Sequence, residues 1–382
     1  MGKMLNGIHY KTGKPVEISI ENDLISFIKS GPDLNTDKII CPGLVDLQIN
    51  GFKGIDFNEE GLSVDQVVSI TKSLWAEGIT GYFPTLITNS DENICATLET
   101  IAEACEKHSI INKTIGGIHL EGPFLSAEDG PRGAHPLKHI KAPDWELLNK
   151  WQKIARGRIK LITISPEWPG SVSFIKQCVS SGILVSIGHT SASAEQIREA
   201  VQAGARASTH LGNATHLMLP RHSNYIWEQL ASEKLWSTII ADGFHLPESL
   251  LKVFIKLKEG KTVLVSDSTK FAGLPPGSYS SHIGGTIELN AEGRLYMKEN
   301  PKMLAGSAQS LLTCVDHLVN SEISSLQTAL EMAFLKPAEL LGIHNLYGLE
   351  EGKKADLIIF ERTSGKIKIL QTIKAGEVVY TI

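Results

Sequence analysis

Six times along the chain a short apolar run ends in a polar cluster. Glu121 follows residues 118–120, Ser165-Pro166-Glu167 follows 159–164, and Gly188-His189-Thr190 follows 183–187. Thr209-His210, Asp242-Gly243-Phe244-His245 and Ser266-Asp267-Ser268 close the next three. The full pattern predicts eight strands near residues 44–48, 79–85, 115–120, 159–164, 183–187, 207–209, 238–241 and 263–265. Helical periodicity fills the gaps at residues 64–77, 93–108, 145–155, 172–180, 194–203 and 247–257. Strand and helix alternate throughout, and strands that repeatedly end in chemistry are how a (β/α)8 barrel assembles a site at one face.

Both ends of the chain carry a different grammar. Residues 1–41 break into short apolar pieces separated by Thr12-Gly13, Glu21-Asn22 and Gly31-Pro32, and the same hairpin rhythm returns in the C-terminal residues. The expectation is a barrel over residues 42–343, with 1–41 and 344–382 joining in one small β-sandwich domain. A chain of 382 residues, 42% hydrophobic, supplies a barrel core with residues to spare.

Charge narrows the partners. The net charge is −5 and the basic residues are scattered, so no footprint for nucleic acid or an anionic membrane is visible and a small-molecule substrate is expected. No segment approaches the roughly 20 apolar residues of a membrane span, and the first ten residues lack a signal-peptide core. Five dispersed cysteines without a C-x-x-C pair imply reduced thiols and a cytoplasmic setting.

Glu121, His189 and His210 each stand at a predicted strand end, where neighbouring barrel strands converge. Two imidazoles and one carboxylate with an open position make a catalytic, zinc-type site. Each residue taken singly reads as well as a hydrogen-bonded strand-end side chain. Iron, cobalt and manganese accept the same donors, so zinc is the first choice among several.

The local motifs His119-Leu-Glu-Gly-Pro-Phe124, Gly188-His-Thr-Ser-Ala192, Thr209-His-Leu-Gly-Asn-Ala214, Ile240-Ala-Asp-Gly-Phe-His245, Val265-Ser-Asp-Ser268 and Leu304-Ala-Gly-Ser307 resemble, in order and spacing, those of N-acetylglucosamine-6-phosphate deacetylases of the amidohydrolase superfamily. The resemblance spans essentially the whole chain. It implies one divalent metal ion on Glu121, His189 and His210, and Asp267 as general base and acid. It further implies substrate contacts from Ala134, His135, Asn213, Ala214, Arg221, Asp242, Gly243, His245, Leu304, Ala305 and Gly306, and a homodimer. Where two-metal relatives present H-x-H, this chain has Gln48 and Asn50, which implies a single-metal centre.

One stretch departs from the family pattern. After Asn213-Ala214 the chain reads Thr215-His216-Leu217-Met218-Leu219-Pro220-Arg221-His222, retaining only Arg221 at the position of the family's phosphate-binding arginine. A guanidinium suits a phosphate, but the rewritten loop leaves another amino-sugar phosphate or an unphosphorylated N-acyl sugar open. A cyclic amidase is disfavoured by the missing H-x-H. A non-catalytic sugar-phosphate sensor is disfavoured by Asp267, which binding alone would not need.

Overall fold

The computed structural model describes residues 3–32, 36–280 and 285–382. Eight parallel strands form the central sheet: β1 Leu44–Ile49, β2 Ile79–Ile87, β3 Ile118–Glu121, β4 Ile159–Ile164, β5 Leu184–Ile187, β6 Ala207–Ser208, β7 Trp236–Ile239 and β8 Thr262–Leu264. They neighbour one another in chain order. The sheet closes on itself where Ile49 bridges Ser268 in parallel, beyond the end of β8. Helices wrap the outside, as the alternation of strand and helix requires.

Local chemistry sets the helix limits. Ser63 and Gln66 form a reciprocal capping box at the start of Val64–Trp75, and Ser193 and Gln196 do the same for Ala194–Ala203. Gly204, at φ 116°, ends the second of these in a left-handed turn that costs a residue without Cβ little. Ile197 and Ala200 bury the inner face against the barrel wall. A separate group, Val45, Leu47, Phe83, Leu161, Ala207, Val263 and Val265, packs together with Leu340.

Several predicted boundaries move. The seventh strand runs Trp236–Ile239, earlier than expected, because residues 240–241 extend the apolar run past the ladder towards Asp242. The third ladder begins at Ile118; Ile115 makes only an isolated bridge to Tyr82, before the Gly116-Gly117 pair, which interrupts the pairing. Elements the periodicity did not reveal include the short helices Ser109–Thr114 before β3 and Tyr225–Ala231 after β6, and the pair Leu311–Asn320 and Leu326–Leu340 after β8. Between β8 and that pair lies a four-stranded antiparallel sheet: Gly277–Ser280, Thr286–Leu289, Leu295–Met297 and Asn300–Leu304. Its strands are short and half-exposed, so alternation is weak there.

The two chain ends meet in one seven-stranded sheet. Leu357–Thr363 lies antiparallel to Ile39–Pro42, which pairs with Lys3–His9, so C-terminal strands complete what N-terminal strands begin. Ile18, Ile25, Ile40, Leu357 and Ile373 form its own buried core. All five cysteines are free. Among the described residues no helix is long and apolar enough to cross a membrane.

Candidate active site

Glu121 is the last residue of β3, and His189 and His210 lie two residues beyond β5 and β6. All three are buried, and their donor atoms converge. His189 Nε2 lies 3.2 Å and His210 Nε2 2.9 Å from Glu121 Oε1, with the two Nε2 atoms 3.1 Å apart. Among the described residues this is the one group of at least three such side chains able to hold a metal.

The His189 tautomer fits a cation. His189 Nδ1 is 2.9 Å from the carbonyl oxygen of Pro131, which can only accept, so the proton sits on Nδ1 and the Nε2 lone pair faces Glu121 and His210. Two ring nitrogens and a carboxylate oxygen converging in a buried cluster are the donor set of a divalent ion. Burial alone would push the Glu121 carboxyl up, but the hydrogen bonds and charges of both imidazoles hold it well below the usual range. Burial would lower His210, yet the Glu121 carboxylate raises it.

The backbone is strained where the chemistry stands. His189, His210 and Asp267 adopt φ of 50°, 30° and 48°, the left-handed region that side chains with a Cβ seldom occupy. Gly188 is needed because a Cβ there would come within 2.7 Å of Thr209 Cβ and 2.8 Å of Thr163 Cγ2. The close approach keeps β5 against β6 while the chain turns His189 inward.

Asp267 lies past β8. Burial first, and then the charge of Glu121, raise its carboxyl to about 6, opposed by His210, His245 and the hydrogen bond from Asn50 Nδ2. His135 is buried against His189, with ring centroids 4.3 Å apart. Its Nδ1 accepts from the Thr88 backbone N–H at 3.4 Å and meets Thr88 Oγ1 at 2.9 Å, so Nε2 carries the proton. Burial, reinforced by His189, holds its pKa well below the ordinary value and keeps the ring neutral. Asp242 accepts the Phe244 and His245 N–H groups on one oxygen, while its other oxygen lies 2.8 Å from His245 Nδ1.

The remaining predicted positions are distributed around this centre. Asn213 folds back onto the His210 carbonyl, and Ala214 follows at φ 49°. Gly133 brings the loop containing Ala134 against the His189 ring: a Cβ on it would lie 3.3 Å from Cε1. Leu304, Ala305 and Gly306 return from the four-stranded sheet to Ser307, which bridges Ser268 beside Asp267. Gly243 packs against His317. Arg221 is exposed and, among the described residues, has no ion-pair partner, so the chain does not draw it into the buried cluster. Sequence reasoning missed Thr88, Pro131 and the pairing of Asp242 with His245. Two of these act through hydrogen-bonding groups present in any threonine or any backbone.

The amidohydrolase family model matches residues 39–379. A curated N-acetylglucosamine-6-phosphate deacetylase from Danio rerio is 33% identical over 361 residues, covering 90% of this chain and 85% of the relative. The chain belongs to the N-acetylglucosamine-6-phosphate deacetylase family of amidohydrolases. The Bacillus subtilis (strain 168) member is 32% identical over 348 residues, again covering 90% and 85% of the two chains. Among solved structures, the family member from Pasteurella multocida superposes with a TM-score of 0.87 at 27% identity, covering 99% of each chain. A mutant member from Mycobacterium smegmatis, in complex with N-acetyl-D-glucosamine-6-phosphate, gives 0.83 at 25% identity, covering 96% and 95%. The protein is therefore a hydrolase of a metal-dependent family, with a Glu-His-His cluster at the strand ends.

Proposed function

We propose that this protein hydrolyses N-acetylglucosamine 6-phosphate to glucosamine 6-phosphate and acetate, with Glu121, His189 and His210 holding one divalent ion. The observation that carries the reading is the convergence of Glu121 Oε1 and both Nε2 atoms in a buried centre whose charge acts on Asp267. Zinc is our first choice, on the imidazole and carboxylate donors.

When bound, the ion polarises the amide carbonyl and lowers the pKa of water at the site, which an unactivated amide requires. Asp267 takes the proton from the attacking water and returns one to the departing amine nitrogen. Neutral His135 presents Nε2–H to the carbonyl oxygen as negative charge grows there. Asp242 orients His245, leaving its Nε2 to contact the sugar. Asn213, Ala214 and Arg221 are assigned to the phosphate, and Ala134, Gly243, Leu304, Ala305 and Gly306 to the walls around the sugar.

We assign residues 42–343 to the catalytic barrel and 1–41 with 344–382 to the accessory β domain, a division supported by the shared terminal sheet. The free thiols support a reducing, cytoplasmic setting. The exposed Leu217 and Met218 beside Arg221 support a homodimer, which light scattering of purified protein tests.

Acetate release by metal-loaded protein from the sugar phosphate and from plain N-acetylglucosamine, with Arg221→Ala alongside, tests the substrate. Preference for the phosphate that Arg221→Ala abolishes supports the reading. Equal rates on both sugars move the substrate to an unphosphorylated N-acyl compound.

A further inference from the structure

Below its main-chain closure, the barrel seam is crossed by a buried carboxylate. No ladder joins β8 to β1 among the described residues, and the main-chain bonds across the seam come only at its upper end, from Asp267 N to Gln48 O at 3.0 Å and from Asn50 and Gly51 N to Ser268 O at 2.8 and 3.0 Å. Below them the buried Ser266 N–H points at the Asp46 carboxylate, 3.3 Å from each oxygen. Asp46 Oδ1 also accepts from the Gln48 N–H at 3.2 Å.

Asp46 is 1% exposed, and no Lys, Arg or His pairs with it among the described residues. A buried carboxylate without a cation is costly, and burial has raised this one to about 7. Hydrophobic packing of the wall would be served better by an apolar residue. What the carboxylate supplies is acceptor capacity for two backbone donors, Gln48 in β1 and Ser266 just past the end of β8.

Those two donors flank the chemistry. Ser266 precedes Asp267, whose φ of 48° must be held by its surroundings. Four successive N–H groups are tied down: Ser266 to Asp46, Asp267 to Gln48 O, Ser268 to Ser266 Oγ and Thr269 to Ser307 O. Gln48 in turn donates from Nε2 to Glu121 Oε1 at 2.9 Å. One carboxylate thus fixes the backbone behind both Asp267 and the amide that steadies Glu121.

Resting on the function proposed above, we propose that Asp46 is a positioning residue for deacetylation: its carboxylate clamps Ser266 and Gln48 across the barrel seam and so sets the attitude of Asp267. The test compares Asp46→Ala and Asp46→Asn with the parent in metal-loaded protein. The alanine variant removes both acceptors; the asparagine variant keeps Oδ1 for both N–H groups.

The expected result for Asp46→Ala is a kcat at least about tenfold lower with KM changed by less than about twofold. Amide exchange read by mass spectrometry should speed up in peptides spanning residues 44–50 and 265–270, with helix Ala194–Ala203 unchanged. Asp46→Asn should restore protection and bring kcat to within about threefold of the parent. A parent-like kcat in Asp46→Ala, unchanged exchange at 265–270, or an asparagine variant as impaired as alanine overturns the proposal. If Asp46→Ala does not fold, Asp46→Asn decides by the same criteria. A parent that releases no acetate from the sugar phosphate removes the substrate reading alone, because the exchange comparison needs no substrate.

Discussion

Asn50 Nδ2 donates to Asp267 Oδ1 at 2.7 Å, joining the end of the first barrel strand to the residue beyond the eighth. Gln48, two residues earlier, donates to Glu121. The two amides that replace H-x-H therefore act on the two carboxylates of the centre. Each lends an N–H donor, which favours the ionised form and fixes its direction.

Asp267→Asn should lower kcat by about 10²–10⁴-fold, the usual contribution of a positioned acid-base group, because an amide cannot accept the water's proton. The bound metal should remain, since Asp267 is not among the three converging donors. Acetate release together with metal analysis of the purified variant checks both halves. Unchanged turnover removes Asp267 from the mechanism.

The pH dependence has a definite sign. Asp267 works as a base, and burial with the Glu121 charge raises it to about 6, so kcat/KM should fall as pH drops through its pKa and the carboxyl becomes protonated. A cation beside Glu121 offsets part of that charge, so metal loading should move the limb to lower pH. A pH–rate profile of acetate release locates the limb, and metal exchange should move it.

His135→Ala should cost about 10²–10³-fold in kcat if its Nε2–H serves the developing oxyanion. Thr88→Val, which leaves the ring but removes the hydroxyl contact to Nδ1, should cost less. Steady-state kinetics of both variants distinguish a donor to the carbonyl from a residue that only binds the sugar, whose loss would raise KM instead.

Removing the metal should abolish turnover and lower the melting temperature, because the ion binds only the folded arrangement of Glu121, His189 and His210. Dialysis against a chelator, followed by calorimetry, should show both effects. Restoring divalent zinc should reverse them.

Gly188→Ala tests the close approach of β5 and β6. Its Cβ would overlap Thr209, and overpacking of this kind costs about 1–3 kcal/mol. Because the displaced backbone carries His189 directly, metal affinity should fall along with stability. Thermal denaturation and a metal titration read the two effects separately.

The repeating alternation of apolar run and polar cluster determined the barrel and placed Glu121, His189, His210 and Asp267 at strand ends. That much is local, because strand periodicity and the chemistry that follows it are both written in adjacent residues. Ile159–Ile164 and Ala194–Ala203 matched the predicted limits for the same reason. The short strands between Gly277 and Leu304 were not legible, since three to five half-exposed residues carry too little pattern. Only the tertiary structure decided that Asn50 meets Asp267, that the Pro131 carbonyl sets the His189 tautomer, and that Asp46 reaches Ser266 across the seam. Those contacts join residues as many as 220 positions apart, and the groups they use, an amide, a carbonyl and a backbone N–H, acquire meaning only from what barrel closure brings beside them.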